Sequence, residues 1–216
     1  MKPYYCFILT VVALHNTHIN HAMEKNNDTC DVEKNMGFSP LHHAAHYNKI
    51  DMAQTLIDQK ADLDSKDKFG YTPLHKAAAK GNLDTIKLLL KNNATVDAVS
   101  DSNQSTLHTA AISKDGQAIA LLLEAKALCN LKNNRKQTPL ITACIHSNQE
   151  TAKTLIAANV AINEQDEQGN SALHYTYLAN ASEIQKMLEN AGIDTTLQNN
   201  DKKTATEMQT ISDSFN

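Results

Sequence analysis

A 33-residue period constrains this chain more than any other feature. Sliding the stretch 67–99 (DKFGYTPLHKAAAKGNLDTIKLLLKNNATVDAV) along the sequence superposes Leu41-His42, Leu74-His75, Leu107-His108, Leu140-Ile141 and Leu173-His174 without a gap. Self-similarity at fixed spacing marks a stacked array, whose single unit cannot bury its apolar face alone. The period sets units at 34–66, 67–99, 100–132, 133–165 and 166–198, with a shorter sixth at 199–216.

Each unit reads as two short helices and a turn. Thr72-Pro73 supplies a hydroxyl N-cap followed by proline at the first helical position, where a missing N–H costs nothing. Leu74, Ala77 and Ala78 share one face of that helix, and Gly81 ends it because glycine accepts positive φ. Ile86, Leu89 and Leu90 stand at helical spacing in the second helix. Lys91-Asn92-Asn93-Ala94 closes it, Val96 is the expected apolar plug, and the stretch around Gly70 has the turn chemistry of a projecting hairpin.

TPLHKAA at 72–78, an S/T-P-L-H-x-A-A pattern at this period, resembles the ankyrin repeat, over residues 34 to about 210. The resemblance implies an all-α repeat solenoid of stacked helix-turn-helix units with projecting β-hairpin loops. It implies hydrogen bonds within and between hairpins for Ser39 with His42, Thr72 with His75, Thr106 with His108 and Ser171 with His174. The chain departs from the pattern at Ile141, which replaces the histidine, and at Asn103 and Lys136, which stand where a tip glycine is expected. Glu189 occupies an apolar position, so units four and five are expected to be the softer end.

Before the array, Met1-Lys2 and the apolar run YYCFILTVVAL (4–14) precede a polar stretch. Eleven residues fall short of the roughly 20 that a bilayer-spanning helix needs. The run reads as a secretory signal peptide at 1–22, cut after Ala22, with 23–33 as a polar lead-in. A buried N-terminal strand is the alternative, although no partner strand is visible. Cys6 lacks the preceding small and apolar residues of a lipoprotein signal. The expected location is therefore exported, either secreted or periplasmic, with no membrane insertion after signal removal.

The full chain carries 20 Lys and Arg against 24 Asp and Glu. Removing 1–22 takes away Lys2 alone, so the balance moves from −4 to −5. Such a mildly acidic chain has no electrostatic footprint for nucleic acid. Cys30, Cys129 and Cys144 remain after processing, an odd number at unpatterned spacing rather than a disulfide framework. Cys129 and Cys144 align with apolar positions of other units and read as small core residues, whereas Cys30 sits in the lead-in.

Histidines offer the one temptation toward a metal. His42 and His46 are one helical turn apart, the spacing of a two-histidine zinc pair. The repeat already employs His42, however, and no glutamate lies between the two as a zinc protease requires. No Ser/His/Asp order, phosphate-binding glycine loop or CxxC pair appears, so the expectation is no enzyme, no metal and no cofactor. A metal- or haem-handling exported protein using His43, His46 and Cys30 is the runner-up reading.

Function is therefore expected on a surface. In a stacked array the hairpin tips and the outward side of the first helices line one concave groove. Its candidate protein-binding residues are Met36, Phe38, His43, Tyr47, Lys68, Phe69, Tyr71, Lys76, Lys80, Ile112, Arg135, Ile145 and Tyr175. Aromatic residues beside adaptable polar groups are typical hot spots, which favours units one and two, with Lys68, Lys76 and Lys80 facing an acidic rim. The expected partner is another protein, bound by a monomer. The competing reading is that the rings pack on adjacent hairpins and stiffen the array.

Overall fold

A computed structural model describes residues 36–113 and 116–212. The signal peptide, the lead-in and Cys30 lie outside the described residues. The chain divides into two compact units, Met1–Gly37 and Phe38–Asn216, and the helical array lies in the second.

Helices recur at the sequence period. Five pairs are α1 (Pro40–His46) with α2 (Ile50–Asp58), α3 (Pro73–Lys80) with α4 (Leu83–Lys91), α5 (Thr106–Ile112) with α6 (Gly116–Glu124), α7 (Pro139–Ile145) with α8 (Gln149–Ala157), and α9 (Ala172–Leu178) with α10 (Ser182–Asn190). A single helix, α11 (Ala205–Ser212), follows. Extended N-caps Ser39, Thr72, Ser105, Thr138 and Ser171 start the first helices, three of which begin with proline.

Among the described residues, left-handed turns recur at three repeat positions. Asn48, Gly81, Ser147 and Asn180 end the first helices. Lys60, Asn93, Lys126, Asn159 and Gly192 follow the second helices, and Gly70, Asn103, Lys136, Gly169 and Lys202 form the hairpin tips. Positive φ thus keeps its place even where asparagine, serine or lysine replaces glycine. The hairpins contain little strand: among the described residues they close on the single bridges Val99–Ser105, Gln165–Ser171 and Gln198–Thr204.

First helices pack on first helices and second on second, giving two layers with the core between them. Leu41, Leu74, Leu107, Leu140 and Leu173 are fully buried at one repeat position. Beside them Ala44-Ala45, Ala77-Ala78, Ala110-Ala111 and Ala143-Cys144 have no exposure, and such small side chains let neighbouring helices approach closely. Ile86, Leu89, Ile119, Leu122, Leu155, Ile184 and Leu188 cover the other side.

The structure corrects three expectations. The apolar plug is Ala94, with Ala127, Val160 and Ile193 at the same position, all nearly buried; Val96 is only half-buried. Cys129, which shares the Val96 position, is therefore half-buried rather than core, whereas full burial pushes the Cys144 thiol up to about 12 and leaves it inert. Leu90 is half-buried, and Glu189 at the equivalent position points its charge into solvent.

Candidate protein-binding face

Histidine fixes the inner edge of each hairpin. Nδ1 of His42, His75, His108 and His174 accepts the backbone N–H of Ser39, Thr72, Ser105 and Ser171 at 3.1–3.2 Å. Their Nε2 atoms donate to the carbonyls of Tyr71, Gln104, Gln137 and Lys203 in the following hairpins at 2.8, 3.0, 2.8 and 3.1 Å. This bonding selects the neutral imidazole with its proton on Nε2. Burial pushes the His75 pKa down to about 4 and lowers those of His42 and His108. The third histidine's partner is Ser105, 2.8 Å away, rather than Thr106. Thr106 occupies the proline position and donates to the Val96 carbonyl at 2.5 Å.

A buried acid or amide organises four of the tips, and the Ser100 hydroxyl, accepting the Gln104 N–H at 3.2 Å, stands in its place at the tip between. Asp67 Oδ1 accepts the N–H groups of Phe69 and Tyr71, both at 2.9 Å, and Asn133, Asp166 and Asn199 repeat the arrangement. Sequence reasoning missed these residues. Their recurrence at the repeat period, with side chains suited to capping turns, was the available signal.

The N-terminal cluster is internally satisfied. Lys76 Nζ lies 2.7 Å from Asp67 Oδ2 and 4.6 Å from the ring centres of both Phe38 and Tyr71. Phe38 stacks on His42, and Tyr71 meets His75 edge-on. Burial opposes ionisation of Asp67, but the Lys76 ammonium and the two N–H groups outweigh it and hold the carboxyl below its usual range. Phe38, Tyr71 and Lys76 thus brace one another, whereas Phe69 stands 51% exposed at the tip. His43 and His46 each pack against the ring of Tyr47. Lys68 and Lys80 are exposed and form no ion pair with any described carboxylate.

Farther along, the face changes character. Ile112 is 48% and Leu178 44% exposed, with half-buried Ile145 at the same repeat position between them. Tyr175 donates to Asp166 Oδ2 at 2.5 Å; burial, reinforced by that carboxylate, pushes its phenol pKa up. Tyr175, Leu178, Asn170 and Met208 line an open cleft of about 450 Å³. Arg135 is exposed on the fourth tip. Met36 belongs to the separate N-terminal unit. Candidate residues therefore fall into a braced aromatic patch at α1–α3 and an apolar row at α5–α9. Among the described residues no group of three or more His, Cys, Asp or Glu has metal-binding geometry. No described helix is long and apolar enough to cross a membrane.

Comparison with known proteins agrees with this architecture. No curated protein gives a significant match to the chain. The family model for ankyrin repeats, built of three copies, matches residues 41–133 and again 107–199. Ankyrin repeats commonly mediate protein–protein interaction and typically serve as non-enzymatic scaffolds. With most of its length matched and both helix layers in place, the chain belongs to the ankyrin repeat family.

Proposed function

We propose that this chain is an exported, monomeric, non-enzymatic protein that holds a partner protein on the face made by its first helices and hairpin tips. One observation carries the reading: Phe69 is 51% exposed on a turn whose backbone is pinned by Asp67. A large ring held rigidly in solvent adds nothing to the core and loses little entropy on contact with a partner. Lys68 beside it on the tip and Lys80 at the far end of α3 add exposed positive charge, favouring an acidic rim on that partner. Phe38, Tyr71 and Lys76 serve as the rigid support beneath the tip. The formal charge of −4 favours a protein partner over nucleic acid. Export rests on the short apolar run at 4–14, and the protein acts in the medium or the periplasm.

Affinity capture with the protein as the cell processes it tests the reading, its N-terminus read by mass spectrometry. Phe69→Ala with Tyr71→Ala, which removes the tip ring and a ring that supports it, is expected to lower the thermal midpoint by only a few degrees and to weaken partner capture tenfold or more, since an interface aromatic commonly carries about 2 kcal/mol. Capture that survives the double substitution removes the tip from the site.

A further inference from the structure

The apolar row has a definite spacing. Ala79, Ile112, Ile145 and Leu178 sit 33 residues apart on four successive first helices, which pack directly on one another. Packed helices lie ~8–10 Å apart, so the three large side chains form a line with that spacing. A partner helix rises 1.5 Å per residue and presents a side chain to the same side every seven residues, about 10.5 Å along its axis. The two spacings match. Drift of about 20° per heptad over three anchors stays inside the ~100° apolar stripe of an amphipathic helix.

Width and charge point the same way. Tyr175 and Met208, one repeat apart, lie beside Leu178 in the cleft and broaden the row at its far end. A broad band suits a helical stripe better than the single row of side chains on an extended chain. Lys80, exposed at the C-terminal end of α3, follows Ala79, one helix before Ile112. We propose that the occupant of this face is an amphipathic helix of the partner protein, its apolar residues seven apart on Ile112, Ile145 and Leu178 and its carboxylates at the end over Lys80. The inference rests on the protein-binding reading and specifies what is bound.

Selection of a random 20-residue peptide display library on the full chain tests it. Enriched peptides are expected to carry large apolar residues at i, i+7 and i+14 with Asp or Glu clustered about seven residues beyond one end of that series. Ile112→Glu with Leu178→Glu, both at exposed positions, is expected to weaken the enriched peptides at least tenfold while circular dichroism and the thermal midpoint stay unchanged. Lys80→Glu is expected to weaken them severalfold at low salt. Enriched peptides without the seven-residue spacing, or affinity unchanged by the Ile112/Leu178 substitutions, overturn the proposal. Binding lost in the Phe69/Tyr71 variant alone overturns the helix but keeps the protein-binding face. Absence of any enriched peptide also overturns the helix, and partner capture then decides the broader reading separately.

Discussion

The junction of the first two helix pairs and that of the fourth and fifth follow one plan and are tied differently. At the first, His42 reaches the Tyr71 carbonyl, and Asn82 Nδ2 donates to the carbonyls of Ala45 and His46 at 2.7 and 3.0 Å. Thr85 bonds the Asn48 side chain, and Lys76 is clasped between Phe38 and Tyr71. At the fourth, the positions of His42, Asn82 and Thr85 hold Ile141, Ala181 and Ile184. Across this junction Asn163 accepts the Asp194 N–H, the Arg135 carbonyl accepts that of Glu167, and the Tyr175 and Gln137 side chains meet.

Polar struts are therefore not required to stack the layers. Four lost hydrogen bonds represent about 4 kcal/mol, and full burial of two isoleucine side chains returns about 4 kcal/mol. The exchange is nearly neutral in energy but not in direction: apolar contact tolerates sliding that a bond to a fixed carbonyl resists. The softness expected of units four and five thus rests on lost direction rather than lost energy, with Ala181 standing where Asn82 makes two of the four bonds.

Acid gives the largest separation of the two junctions. His42, His75 and His108 belong to the first three pairs, and the fourth has Ile141 instead. Their folded pKa values are depressed below the ordinary 6.5, so between the two values the unfolded chain binds protons that the folded one refuses. Stability is complete above about pH 6.5 and is lost as the pH falls toward the folded value. For His75, folded at about 4, the loss approaches about 3 kcal/mol. Native-state hydrogen exchange at pH 7 and pH 4.5, corrected for intrinsic rates, should show α3 and α5 losing more protection than α7 and α8. Equal losses would remove the histidines as the cause.

Exchanging residues between junctions asks the same question at neutral pH. His75→Ile leaves the buried Thr72 N–H without its acceptor and is expected to cost about 2 kcal/mol. Ala181→Asn should gain about 1 kcal/mol. Ala181 has nearly the backbone angles of Asn148, which bonds the carbonyls of Ala111 and Ile112. Urea unfolding measures both, and an Ala181→Asn variant no more stable than the parent would show that the fourth junction does not need the strut.

Much of this was legible because the period leaves little freedom. Leucine at 41, 74, 107, 140 and 173 located the core, and the hydroxyl-proline pairs located the helix starts. The third start was misread because Ser105-Thr106 offers two hydroxyls and no proline to fix the register. Asp67 with Lys76 escaped notice for another reason: nine residues separate them, and only the fold of hairpin onto helix brings the charges together. That pair also draws in Phe38 and Tyr71, rings whose sequence positions alone do not distinguish support from contact. Phe69 was readable as an exposed tip because its neighbours in the pattern leave it nothing to pack against.

The smallest expected effect concerns the tips, where the sequence suggests a defect that the backbone does not show. A Cβ at Gly70 would collide with Asp101 Oδ1 and come within 2.6 Å of the Asp101 backbone nitrogen, and one at Gly169 within 2.8 Å of Asn200 N. Glycine there permits the close approach of the next hairpin. Lys136 holds the same left-handed turn at φ 57°, and Glu167 still donates to the Arg135 carbonyl at 3.0 Å. The penalty is then mainly left-handed strain, about 1–2 kcal/mol for an L-residue. Glycine relieves it but adds roughly 0.5–1 kcal/mol of unfolded-state entropy to be lost on folding. Lys136→Gly should therefore stabilise by only about 0.5 kcal/mol, a rise of about 1–2 °C in the thermal midpoint. A fall on calorimetry would mean that the lysine side chain contributes to the tip, and that the fourth hairpin is not merely a strained copy of the second.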